Sequence, residues 1–221
     1  MRPQASKLKT VGRRLYLRPR TANQKKCVPG NITIAVYNCR QNQFQEMITV
    51  EVPTVISIIS RTPDVIKGLV IDLDESWLHA NEGPDTWSPH EVVAHLIFGE
   101  QTDWIPRMQL ILSDKEDKTF TPFDRNGHFQ IAAGRTIETL LHQFAELRKE
   151  NIHILLASDV TIDDLRKTGN HPAFGAVTLG QLLASWVVHD MTHIYQISRT
   201  IAKQYEVEVG PWKEYLGILK R

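Results

Sequence analysis

Cysteine is nearly missing from this chain. Its 221 residues hold two, Cys27 and Cys39, and both precede residue 47. Residues 47–221 therefore offer no thiol nucleophile, no disulfide framework and no cysteine-based zinc site. A Cys27–Cys39 disulfide does not suit a reducing compartment. Long apolar runs are missing too: none approaches the roughly 20 residues that a membrane-spanning helix needs. There is no charged-then-apolar leader of the secretory kind. The expectation is a soluble, cytoplasmic protein without a membrane partner. Acid is scarce at the start of the chain. Residues 1–46 carry ten Lys/Arg against the single acid Glu46. The whole chain has 26 basic and 25 acidic residues, so residues 47–221 hold 16 and 24, a net charge of −8. An acidic body argues against nucleic acid as partner.

That break in composition suggests two parts. Residues 1–46 read as a basic extension without sustained apolar periodicity, and structure should not be forced on them. A short strand at 32–37 has no obvious partner. Three readings stay open: a basic tail, an organellar transit peptide, or an upstream extension from a misplaced start, with Met47 the true one. Residues 47–221 read as one domain.

Within that domain the strongest signals are helical. Thr178 followed by Gln181 is a capping box. Behind it Leu182, Leu183, Trp186, Val187, Ile194, Ile197 and Ile201 form one apolar stripe to about Gln204. Ser88, Pro89 and Glu91 mark a second start, with a cap, a proline at the first helical position and a closed box. That helix is predicted to reach Pro106 and, kinked there, Leu112. A third is predicted over 136–157, with Ile137, Leu140, Leu141, Phe144, Leu147, Ile152 and Leu155 inward. The first helical region, 50–73, should break at Thr62-Pro63. The stretches at 73–84, 113–118 and 121–127 read as loops, and no strand is predicted in the body. The segment after Gly210-Pro211 is predicted to pack back on the helices. The fold class is all-α: a four-helix bundle with long interhelical connections.

His189 and His193 stand one turn apart beside the long helix's apolar stripe, so one face can present both imidazoles to one ion. Nine histidines in 221 residues make a chance pair commonplace, and the pair needs a third ligand. His95 supplies it, on the face that carries Val92, Leu96 and Gly99. Three histidines suit zinc, nickel, iron or cobalt and leave positions open for water and substrate. Asp190, not glutamate, follows His189, so the helix base of an HExxH protease is missing; Asp190 reads as a supporting or solvent residue. His171 reads as a loop histidine. Trp87, Trp104 and Trp186 read as core. Gln196 and Tyr195 flank the site, and Glu100 and Asp103 read as a solvated helix face. No general base is assigned.

Residues 87–96, Trp-Ser-Pro-His-Glu-Val-Val-Ala-His-Leu, with Glu100 to Ile105 behind them, resemble the DinB-like (YfiT-like) family of metal-dependent proteins. So do the run from His171 to His193, Lys203-Gln204-Tyr205, and Gly210 to Leu216. The resemblance covers about 47–221 and none of 1–46. It implies a four-helix bundle, a homodimer, and a divalent ion held by His95, His189 and His193. Zinc or nickel comes first; iron, cobalt or manganese follow. It also implies a small-molecule substrate and activity as a low-molecular-weight-thiol S-transferase or a hydrolase. The competing reading is a non-catalytic bundle that binds metal for stability or sensing.

Overall fold

The structure, a computed structural model, describes residues 50–220. The basic extension, both cysteines and the strand at 32–37 lie outside the described residues.

Eight α-helices and one hairpin make up the described chain. They are α1 (Val52–Ile59), α2 (Thr62–Val70), α3 (Glu75–Leu78), α4 (Pro89–Thr102), α5 (Trp104–Leu112), α6 (His128–Ala132), α7 (Ile137–Ala157), β1 (Thr168–His171), β2 (Gly175–Thr178) and α8 (Leu179–Lys203). Short 3₁₀ turns follow at Gly210–Tyr215 and Gly217–Leu219. The pairs α1/α2 and α4/α5, with α7 and α8, are the four long helical segments of the bundle. No helix among the described residues is long and apolar enough to cross a membrane.

Both predicted capping boxes form. Ser88 Oγ accepts from the Glu91 amide, and Glu91 Oε2 accepts from the Ser88 amide at 2.8 Å. Thr178 and Gln181 do the same at the head of α8. These caps satisfy amides that a helix start leaves without partners. They also fix where each helix begins, and so which residues face inward. Helix α8 packs against α1, α2, α4 and α5, and α4 packs against α7. One apolar cluster joins Val92, Leu96, Ile97, Leu140, Phe144 and Ile197; a second joins Ile59, Met108, Leu155, Leu183 and Trp186.

Four features differ from the sequence expectation. The break between α4 and α5 falls at Asp103, not Pro106. Pro106 is the third residue of α5, within the first turn, where a missing amide removes no hydrogen bond. Residues 75–78, expected as loop, and 128–132, to which no element was assigned, form short helices, too short to show periodicity. A hairpin stands where no strand was predicted: β1 and β2 pair antiparallel, with Gly169 opposite Val177 and His171 opposite Gly175. Its strands are four residues each and rich in glycine, so no alternating pattern betrays them. A Cβ on Gly169 would lie 2.5 Å from Phe120, so glycine lets the hairpin press on the 113–127 connection. Phe120 N donates to Asn170 O and Asn170 N to Lys118 O, both at 2.9 Å. Of the C-terminal tail, Leu219 packs back against α8, while Trp212 and Tyr215 stay exposed.

Candidate metal centre

The crossing of α4 and α8 brings the three predicted histidines together. His95 lies on α4 between buried Val92 and buried Leu96. His189 and His193 are successive turns of α8. The Nε2 of His189 is 3.1 Å from that of His95 and 3.1 Å from that of His193. Ligand atoms of all three lie within 4.8 Å of one another.

The donor set fits a metal ion. Two nitrogens about 2.1 Å from one ion and 3.1 Å apart subtend roughly 95°, close to the angles of common coordination polyhedra. Burial keeps the rings neutral, as ligation requires. The pKa of His95 is lowered to about 3 by burial first, then by His193 and His128. That of His189 is lowered to about 2, again by burial first. Burial lowers His193 as well, opposed in part by Gln196 and Asp190. The tautomer of His193 is fixed from behind: its Nδ1 donates to Gln196 Oε1 at 2.9 Å, which leaves the Nε2 lone pair facing the other histidines. The Nδ1 atoms of His95 and His189 are buried without a hydrogen-bond partner.

Aromatic rings wall the cluster and account for its low polarity. Trp87 packs at 4.7 Å on His95 and stacks on His193; Trp104 sits edge-on to His189 at 5.1 Å; Phe123 closes on His95. Trp104 in turn stacks on Trp186 at 5.6 Å.

Beneath this wall lies a buried charge network. Arg148 donates from Nη1 to Asp190 Oδ2 and Ile59 O, each at 2.6 Å. Its Nη2 donates to Glu100 Oε1 at 2.8 Å and to Asp190 Oδ1 at 3.0 Å. Thr62 Oγ1 completes Asp190 at 2.6 Å; Trp186 Nε1 and Asn151 Nδ2 complete Glu100. Asp190 thus holds α8 to α7 from between the two histidines. Its carboxylate accepts from both Arg148 and Thr62, so it is a supporting residue and not a free base.

Glu100 and Asp103, expected on a solvated face, are both buried. Glu100 continues the stripe Val93, Ile97, and Asp103 pairs with Arg107 at 2.5 Å. Arg148, Asn151 and His128 were not singled out in sequence. Arg148 and Asn151 continue the stripe Leu141, Phe144, so periodicity marks their positions although their residue types point to solvent. His128 is fully buried on α6, its ring 5.5 Å from that of His95. His171 stays outside the cluster, stacked on Phe174. His142 and His153 lie exposed on α7, and His79 is exposed beside Glu75.

A sequence profile of the DinB superfamily matches residues 58–197, which include all three histidines. The chain belongs to the DinB superfamily. Among DinB relatives, a Bacillus cereus (strain B4264) protein named "Putative metal-dependent hydrolase" is 25% identical over 164 residues, 73% of this chain and 92% of that one. A protein of the same description from Bacillus thuringiensis subsp. konkukian (strain 97-27) is 24% identical over the same shares. A similar fold is seen in YfiT from Bacillus subtilis, described as a probable metal-dependent hydrolase with an unusual four-helix bundle topology. It superposes with a TM-score of 0.61 at 18% identity, over 72% of this chain and 90% of that one.

Proposed function

We propose that this DinB protein is a metal-dependent enzyme in which His95, His189 and His193 hold one divalent ion, zinc or nickel. It acts on a small molecule, as a hydrolase or as a low-molecular-weight-thiol S-transferase. The observation that carries this reading is the convergence of three neutral imidazoles from two helices, His95 and His193 buried and His189 half-buried, with Nε2 contacts of 3.1 Å. The printed names of the Bacillus relatives support it. Structural zinc sites close with four protein ligands, whereas catalytic sites use three; three histidines therefore favour catalysis over the purely structural bundle. When bound, the ion would supply Lewis-acid activation of a nucleophile.

The chain's own residues do the rest. Gln196 orients His193. Trp87, Trp104 and Phe123 keep water from the rings and so strengthen every electrostatic interaction among them. Arg148, Glu100 and Asp190 lock α7 and α8 in register beneath the ligands. The same reading takes the protein to be cytoplasmic and a homodimer; Val188 and Met191 give α8 an exposed apolar outer face in support of a dimer.

The test is an assay of zinc- and nickel-loaded protein on p-nitrophenyl esters, and on cysteine with 1-chloro-2,4-dinitrobenzene. Turnover that disappears in folded His95→Ala supports the reading. No turnover on either, with metal-free protein as stable as loaded protein, favours the structural bundle. A single-chain mass by light scattering would refute the dimer.

A further inference from the structure

Beside the three-histidine centre lies a second polar recess, a cavity of about 410 Å³ between the 82–87 loop and the outer turns of α8. Two residues belong to both. Trp87 and Gln196 line the recess, yet Trp87 also packs on His95 and His193, and Gln196 holds His193 by its Nδ1. The recess and the centre share a wall.

The charged residues of the recess are Glu82, Asp85 and Arg199. Glu82 Oε2 lies 2.6 Å from Arg199 Nη2, and each side chain is only 10% exposed. The guanidinium is therefore neutralised in place, and one negative charge is left over, on Asp85. Three buried polar atoms of the recess lack a partner: Glu82 Oε1, Arg199 Nε and Thr200 Oγ1. Buried polar groups are nearly always paired, so three around one cavity call for a ligand. Thr200 is 1% exposed, which keeps its hydroxyl out of bulk solvent. Glu82 Oε1 and Thr200 Oγ1 both accept hydrogen bonds. Trp87 and Tyr195 add aromatic faces, which attract cations. Two of the three unpartnered atoms, Glu82 Oε1 and Thr200 Oγ1, are acceptors, while Arg199 Nε only donates and takes no part; with the surplus negative charge of Asp85 and the aromatic walls, the two acceptors describe a cation site. A primary ammonium fits it best, being a compact charge with three donors.

We infer that this recess binds the primary ammonium group of an amine-bearing small molecule whose other end reaches the three-histidine centre. Only the second clause rests on the function proposed above.

The test titrates n-butylamine, n-butanol and butyrate into zinc-loaded full-length protein, followed by backbone amide shifts of Thr86, Gln196 and Thr200. n-Butylamine should saturate with a Kd lower than the other two on the order of tenfold. Glu82→Gln and Asp85→Asn should each weaken it severalfold. Equal Kd values for the three probes, or wild-type butylamine affinity in both variants, overturn the inference. Glu82→Gln leaves Arg199 without its charge partner and needs circular dichroism as a folding control. Asp85 is exposed at φ +60°, a conformation that asparagine adopts readily, so Asp85→Asn keeps the test decisive. Repeating the titration without zinc separates the two readings. Amine selectivity in a protein that never binds zinc keeps the recess and removes the metal centre; zinc binding without amine selectivity does the reverse.

Discussion

Replacing Arg148 by methionine should nearly unfold the protein. Arg148 is 1% exposed, and the side chains of Glu100 and Asp190 are 0% exposed. The substitution keeps most of the aliphatic volume but deletes all four guanidinium hydrogen bonds. It also leaves two carboxylates buried without a cation. Breaking one buried ion pair from one side costs about 3–5 kcal/mol, and here two are broken. The stability of a whole domain is about 5–15 kcal/mol, so the loss is of the same order as the total. Urea unfolding of both proteins, read by circular dichroism, measures the loss. Adding Glu100→Gln and Asp190→Asn to the same chain should recover part of the loss by removing the unpaired charges. An Arg148→Met protein within about 1 kcal/mol of wild type would refute the reasoning.

Three further outcomes follow from the centre and the chain's layout. Gln196→Ala should fold normally, since the side chain is half-buried, and should weaken metal affinity about 10–100-fold by freeing the His193 ring; competition with a chelator checks it, and unchanged affinity removes Gln196 from the support of the centre. Metal-free protein should melt at progressively lower temperature as pH falls below about 6.5, because the unfolded chain takes up protons that His95 and His189 resist in the fold. The sign is that of a depressed base: the contribution is present above the unfolded pKa and is lost as pH falls toward the folded one. A melting temperature flat between pH 7 and pH 5 would contradict it. We propose residues 47–221 as a self-sufficient domain, so a chain begun at Met47 should keep cooperative melting and full metal content, and losing either would place the boundary wrongly.

How much was legible in sequence depended on what each feature requires. The heads of α4 and α8 were readable because Ser88 and Thr178 carry both halves of a capping box, a strictly local code. The histidine cluster was readable for the same reason: His189 and His193 share a helix face by spacing alone, and His95 sits on an apolar stripe that must turn inward. The hairpin was not readable, because its two strands are four residues each and show no alternation of apolar and polar residues. Glu100 and Arg148 were misjudged or passed over because a charge inside a protein is credible only with its partner. Here the partner lies 48 residues away on another helix. His128 escaped notice because α6 is five residues long, too short for any face to show. The recess beside the centre depends on Glu82 meeting Arg199, which only the path of the 73–88 connection decides.

The central claim is that His95, His189 and His193 together hold one ion, and metal content after loading and dialysis tests it most directly. Wild-type protein incubated with zinc should retain about one ion per chain by elemental analysis. Folded His95→Ala, His189→Ala and His193→Ala should each retain little, while His79→Ala, His142→Ala and His153→Ala should match wild type. Two remaining imidazoles rarely hold a divalent ion against water and chelators, and circular dichroism separates a lost ligand from a lost fold. Full occupancy in folded His95→Ala, or no zinc in wild type, would contradict the account.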